Sequence, residues 1–124
     1  MNWRSLAELA AEMVEPLGTP SARAMMGGAT LYCDGVPYAI VAEDSLWFKA
    51  DATSDAEWDA AGAARFTMTR KDGSVASMNY RRAPDDTYDD PDAFRRRAAL
   101  ALEAGRRAAA KKAGRAKRGG GSSG

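Results

Sequence analysis

Apolar residues recur along this chain with two different periods, and each change of period marks an element boundary. Trp3, Leu6, Leu9, Ala10, Met13, Val14 and Leu17 fall at steps of three and four, one stripe of an amphipathic helix. Ser5 and Glu8 have capping-box spacing, with Asn2 as an earlier candidate start, and Pro16 and Gly18 stop the helix. Residues 29–33, 36–42 and 46–50 then alternate as strands. Asp34-Gly35 separates the first two, a two-residue hairpin turn whose positions must both tolerate positive φ. Glu43-Asp44-Ser45 separates the second from the third. Val36, Tyr38 and Ile40 are expected on one face of the middle strand. Leu46 and Phe48 share a face of the next strand, with Trp47 on the other. The three strands read as an antiparallel meander.

The period returns to that of a helix over "SDAEWDAAG", where Ser54 and Glu57 repeat the capping-box spacing and Gly62 suits the C′ position. A second hairpin follows in "RFTMTRKDGSVASMNYR", with Phe66 and Met68 alternating and Lys71-Asp72-Gly73 turning. Asp90 then caps a helix with Pro91 at its first position. Phe94, Ala98, Ala101 and Leu102 form its inner stripe, while Arg95, Arg96, Arg106 and Arg107 lie largely outside it. The order α-β-β-β-α-β-β-α predicts an α+β, two-layer sandwich with helices on one face of an antiparallel five-stranded sheet. Past Ala108 no apolar residue larger than alanine is left to pack. A domain over 1–107 is therefore expected to end in a disordered, basic and then Gly/Ser-rich tail over 108–124. Its final "GGGSSG" reads equally as native low complexity or the remnant of an added linker.

Gly27-Gly28 raises the question of a phosphate loop. Such a loop leads into a helix N-terminus, so that aligned N–H groups meet the anion. Here strand-like Ala29-Thr30-Leu31-Tyr32 follows, with no lysine before Lys49 and no G-x-G-x-x-G spacing. The pair reads instead as a bulge or a close crossing of chains at the start of a strand.

Composition narrows the chemistry further. There is no histidine, so the usual neutral-pH base and commonest metal ligand are missing, and a single cysteine, Cys33, excludes an internal disulfide. No apolar run approaches the roughly 18 residues of a membrane span. The N-terminus lacks the layout of a signal peptide, and a cytoplasmic protein is expected. The net charge of +1 conceals an asymmetry: residues 1–94 carry 8 Lys/Arg against 16 Asp/Glu, and the remainder 10 Lys/Arg against Glu103 alone.

The segments "RAMMGGATLYCDGVPYAIV", "LWFKAD", "FTMTRKDG", "SMNYRRAPDD" and "DDPDAFRRRAALALEAGRR" stand in the order and spacing of the TfoX N-terminal domain family. This is the amino-terminal module of the competence regulator also called Sxy. The resemblance covers roughly residues 5–107 and rests on Arg23, Met25, Gly27, Gly28, Asp34, Gly35, Tyr80, Arg81, Arg82 and Pro84. Met26 and Ala29 depart from the residues usual at those positions. The resemblance implies an α+β fold of secretion-chaperone-like outline, commonly homodimeric. It also implies a role beside a transcriptional partner in competence regulation, and it supplies no catalytic residues or cofactor.

The candidate sites are weighed against simpler readings. Arg81 and Arg82 would bind an acidic partner or a nucleic-acid backbone, or else pair with Asp85, Asp86 or Asp89 at the sheet's end. The acids Asp85, Asp86, Asp89, Asp90 and Asp92 lack the spacing of a calcium loop, and no metal is expected. Cys33 reads as a half-buried structural thiol, and Tyr38, Trp47, Phe48 and Trp58 as core rather than a base-stacking platform. Arg106, Arg107, Lys111, Lys112, Arg115, Lys117 and Arg118 form the one cluster suited to salt-sensitive nucleic-acid contact. Taken together these readings favour a non-enzymatic protein-interaction module, homodimeric and linked to transcriptional regulation. The alternative is a weak nucleic-acid binder acting through the basic end.

Overall fold

The computed structural model describes residues 3–25 and 27–122, with side chains to Arg115. The N-terminal stripe forms helix α1, Trp3–Val14, which buries Leu6, Ala10, Met13 and Val14. Ser5 lies inside this helix, so its spacing to Glu8 does not mark the start; Asn2 falls outside the described residues. A 3-10 turn over Glu15–Leu17 accommodates Pro16 and ends at Gly18.

Six strands follow rather than five: β1 Pro20–Met25, β2 Gly28–Cys33, β3 Val36–Ala42, β4 Ser45–Lys49, β5 Arg65–Thr69 and β6 Val75–Arg82. The unexpected strand is β1. Its sequence, Pro-Ser-Ala-Arg-Ala-Met, has no apolar alternation because it is an exposed edge, held by backbone pairing to β2 and not by side-chain burial. All pairs are antiparallel and the order is β1-β2-β3-β4-β6-β5. The glycine pair is architectural. Gly27 turns the β1–β2 hairpin at φ +72, and a Cβ on Gly28 would collide with the Val41 carbonyl oxygen. Asp34 and Gly35 both take positive φ at the next hairpin, as their turn requires.

The middle strand departs from simple alternation. The register runs from Leu31 opposite Ala39 to Tyr32 opposite Pro37, leaving Tyr38 as an extra residue. Tyr38, Ala39 and Val41 therefore face the helices, while Ile40 turns to the other side. The expected common face of Tyr38 and Ile40 is thus broken by a bulge.

Helix α2, Asp55–Ala60, ends in a pair of bonds typical of a left-handed C′ residue: Gly62 donates to Asp59 and Ala63 to Trp58, at 3.0 Å each. Its start differs from the expected capping box. Ser54 makes no cap bond into the helix; its own N–H donates to Asp51 Oδ1 at 3.1 Å, and its hydroxyl is turned back toward the Asp51 backbone. After a 3-10 turn over Asp85–Tyr88, helix α3 runs from Pro91 to Ser122. Asp90 Oδ1 accepts from the N–H groups of Asp92 and Ala93, the expected cap. Phe94, Ala98, Ala101 and Leu102 are buried as expected. The helix continues through 108–122, where a disordered tail is expected from the lack of apolar residues. Up to Arg118 a helix already nucleated on the core needs little more than propagation, and the Ala, Lys and Arg that dominate this stretch propagate well; Gly119–Gly121 do not share that propensity.

The helices pack on one face of the sheet. The core there centres on Phe48, whose ring stacks on Trp58 at 5.6 Å, meets Phe94 edge-on at 5.6 Å and lies 6.5 Å from Tyr38. At Gly105 α3 crosses β3 so closely that a Cβ would stand 2.7 Å from Val36 Cγ1 and crowd the Pro37 carbonyl. Replacing Asp90 with Ala is expected to lower stability by about 1 kcal/mol, read by urea denaturation, because two N–H groups at the start of α3 lose their acceptor.

Candidate interaction site on the uncovered sheet face

The sheet's second face carries no helix among the described residues. Cross-strand partners share a face, so the register builds one row across five strands: Arg23, Thr30, Ile40, Trp47 and Arg82. An arginine stands at each end, and both are exposed. Behind this row Lys49 pairs with Tyr80, its ammonium 5.3 Å from the ring centroid. Burial raises the Tyr80 pKa, and Tyr32, on the same face, adds to the effect. Ile40, Trp47 and Phe66 pack together, with Trp47 and Phe66 edge-to-face at 4.9 Å and the Trp47 indole donating to the Ala42 carbonyl at 3.0 Å. Met25, Met68 and Met78 rim this small cluster, each more than 40% exposed. Trp47 is buried in a core cluster, as expected, although in this second cluster rather than the main core, and at 7% exposed it is no free platform for a base.

Tyr80, Arg81 and Arg82 are split by strand alternation. Arg81 faces the helices and is buried, with Nη1 donating to Asp59 at 2.7 Å and to the Ala63 carbonyl at 3.0 Å, and Nη2 to Asp55 at 2.9 Å. Asn79 completes the node by donating to Asp55 at 3.0 Å. Burial opposes the Arg81 charge, but the Asp59 and Asp55 carboxylates outweigh it and raise its pKa. Asp55 in turn is held below its ordinary value by Asn79 and Arg81. The expected partners Asp85, Asp86 and Asp89 are not used; those acids are exposed on the turn and loop before α3, and Pro84 leads into that turn. Arg82 points to the uncovered face.

The basic end is divided too. Arg107 folds back onto Asp51 as a two-bonded pair, Nε to Oδ2 at 2.6 Å and Nη2 to Oδ1 at 2.9 Å. Arg106, Lys111, Lys112 and Arg115 stay exposed on α3, and the side chains of Lys117 and Arg118 lie outside the described residues. Cys33 is buried rather than half-buried, and burial beside Asp34 raises its pKa. A cleft of about 200 Å³ between α1 and β1, floored by Leu31 and Tyr38, is small and apolar. Among the described residues no group of His, Cys, Asp or Glu is placed to hold a metal ion. None of their helices is long and apolar enough to cross a membrane.

Comparison with protein families matches the TfoX N-terminal domain over residues 12–105. This chain belongs to the TfoX N-terminal domain family. It is, at the level of the family, a competence-related regulatory domain. A comparison with curated proteins finds no match. Nine of the ten family positions fall into three places: Gly27, Gly28, Asp34 and Gly35 shape hairpins, Arg81 ties β6 to α2, and Arg23, Met25, Tyr80 and Arg82 lie on the uncovered face; the tenth, Pro84, leads into the turn before α3.

Three outcomes are expected. Arg81→Lys should destabilise the fold by roughly 2 kcal/mol, since a lysine cannot reproduce the fork between two aspartates. Arg82→Ala should stay within about 0.5 kcal/mol; thermal unfolding of both variants separates the two roles. Asp51 is held at about 2 against an ordinary 3.8, first by its bond from Arg107. A depressed carboxyl contributes stability that is full above the unfolded value and lost as pH falls through the folded one. Wild type should therefore lose stability between about pH 4 and pH 2 more steeply than Asp51→Asn, measured by denaturation across that range.

Proposed function

We propose that this domain is a non-enzymatic protein-interaction module linked to transcriptional, competence-type regulation, and that it works in the cytoplasm through its uncovered sheet face. The observation that carries this reading is the face itself. A sheet with helices on one side leaves an apolar cluster, a methionine rim and two exposed arginines on the other, and solvated faces of antiparallel sheets are usually polar. Methionine-rimmed apolar patches suit partner binding because their side chains repack. The family supports the regulatory part of the reading. The secretion-chaperone-like outline and the homodimer implied by the resemblance belong to the same proposal, and the unpaired edge of β1 offers a second copy a place to add. The test is affinity enrichment from the native host with wild type beside Met25→Asp/Met78→Asp, both substitutions at exposed positions. Partners recovered by wild type and lost by the variant support the face as the site. Equal recovery by both rejects it.

A second reading has its own observation. Arg106, Lys111, Lys112 and Arg115 stand exposed on a continuous helix, where no described carboxylate answers them after Glu103. As a nucleic-acid contact these cations release counterions, so affinity falls with salt. Replacing Lys111, Lys112 and Arg115 with Ala is expected to reduce the slope of log affinity for duplex DNA against log salt by about 3. An unchanged slope, or no binding by wild type, removes this reading.

A further inference from the structure

The uncovered face has a charge layout that selects its occupant. Its strand residues that carry charge are Arg23, Lys49 and Arg82, and none of the register partners on that face is a carboxylate. Arg23 on β1 and Arg82 on β6 are four strand spacings apart, about 19 Å at about 4.8 Å each. Thr30, Ile40 and Trp47 fill the interval between them. An extended chain covers that distance in about six residues. The geometry points to an extended segment of a partner protein, laid across the strands, with two acidic residues about six positions apart and apolar residues between them. The inference rests on the reading of this face as an interaction site and specifies what it binds.

Other occupants fit less well. A second copy presenting the same face would bring Arg23, Lys49 and Arg82 against their own equivalents, six cations with no carboxylate from either row. Single-stranded nucleic acid needs open rings for its bases. Trp47 and Phe66 are each 7% exposed and pack edge-to-face on one another, and Tyr80 already has the Lys49 ammonium over it. The acidic body, with 16 Asp/Glu against 8 Lys/Arg over residues 1–94, also repels a long polyanion, whereas two spaced carboxylates meet only the local cations.

The experiment is a titration of the full chain, followed by amide and indole NMR shifts, with four probes. The first is a short synthetic peptide with two glutamates six positions apart and Leu, Phe and Thr between them. The second has the same composition with the glutamates adjacent, the third has lysines for the glutamates, and the fourth is oligothymidine. The expected result is saturable binding of the first probe, with shifts gathered at Arg23, Lys49, Tyr80, Arg82 and the Trp47 indole. Affinity should be weaker for the second, absent for the third, and reduced at least about tenfold by Arg23→Glu/Arg82→Glu. Unshifted signals from Phe94 and Trp58 establish that this variant is folded, and Arg23→Gln/Arg82→Gln serves in its place if they move. Equal binding of the lysine peptide at the same residues overturns the acidic occupant while leaving the face an interaction site. Tighter binding of oligothymidine there, no dependence on glutamate spacing, shifts confined to other surfaces, or no binding at all each overturn the inference.

Discussion

The ring of Phe48 is the point through which the rest of the fold is tied. It lies on a central strand and touches Trp58 from α2, Phe94 from α3 and Tyr38 from the neighbouring strand. Two helices, α2 and α3, are thereby fixed against the sheet by one fully buried side chain, whose burial alone contributes about 2–3 kcal/mol. The positions of α2 and α3 set two hydrogen-bonded ion-pair contacts beyond the core. With α2 seated, Asp55 and Asp59 reach Arg81; with α3 seated, Arg107 reaches Asp51. Neither pair would be available to a loosely packed helix layer.

Because the described helices are all drawn to the Phe48 side, the sheet's other face is covered, among the described residues, by its own side chains. Ile40, Trp47 and Phe66 shield one another with Ala42 and Tyr80 packed against them, and the same face carries exposed methionines and arginines. The division of labour along β6 follows from the same asymmetry. Arg81 and Arg82 are adjacent in sequence and alike in chemistry, yet one closes a buried node and the other stands open, since a strand sends successive residues to opposite faces.

Most of the fold was legible because period and turn chemistry agree along the chain. The α1 stripe, the Asp34-Gly35 hairpin, the Asp90-Pro91 start of α3 and the strand alternation at Leu46, Trp47 and Phe48 each rest on a local rule that packing then reinforces. What escaped was non-local. Strand β1 exists through its pairing with β2 and leaves no periodic mark of its own. The bulge at Tyr38 sets the faces of β3, but a sequence of Val-Pro-Tyr-Ala-Ile-Val-Ala shows no signal for it beyond a proline unable to donate to the ladder. The candidate face was hidden for this reason: the bulge turns Tyr38 away from the face that Ile40 shares with Trp47, and Arg23 joins the row only through the unexpected strand. Arg81 was misassigned because its acidic neighbours in sequence are not its neighbours in space.

Gly105 gives the long helix a mechanical character. There the α3 backbone rests almost directly on β3, so the contact acts as a fulcrum set by main chain and not by adjustable side chains. The helix continues from it to Ser122, and seventeen residues at about 1.5 Å each make an arm of about 25 Å. A tilt of about 5° at the fulcrum would sweep the far end by about 2 Å. Adding one methyl group at residue 105 would therefore re-aim lysines and arginines that it never touches.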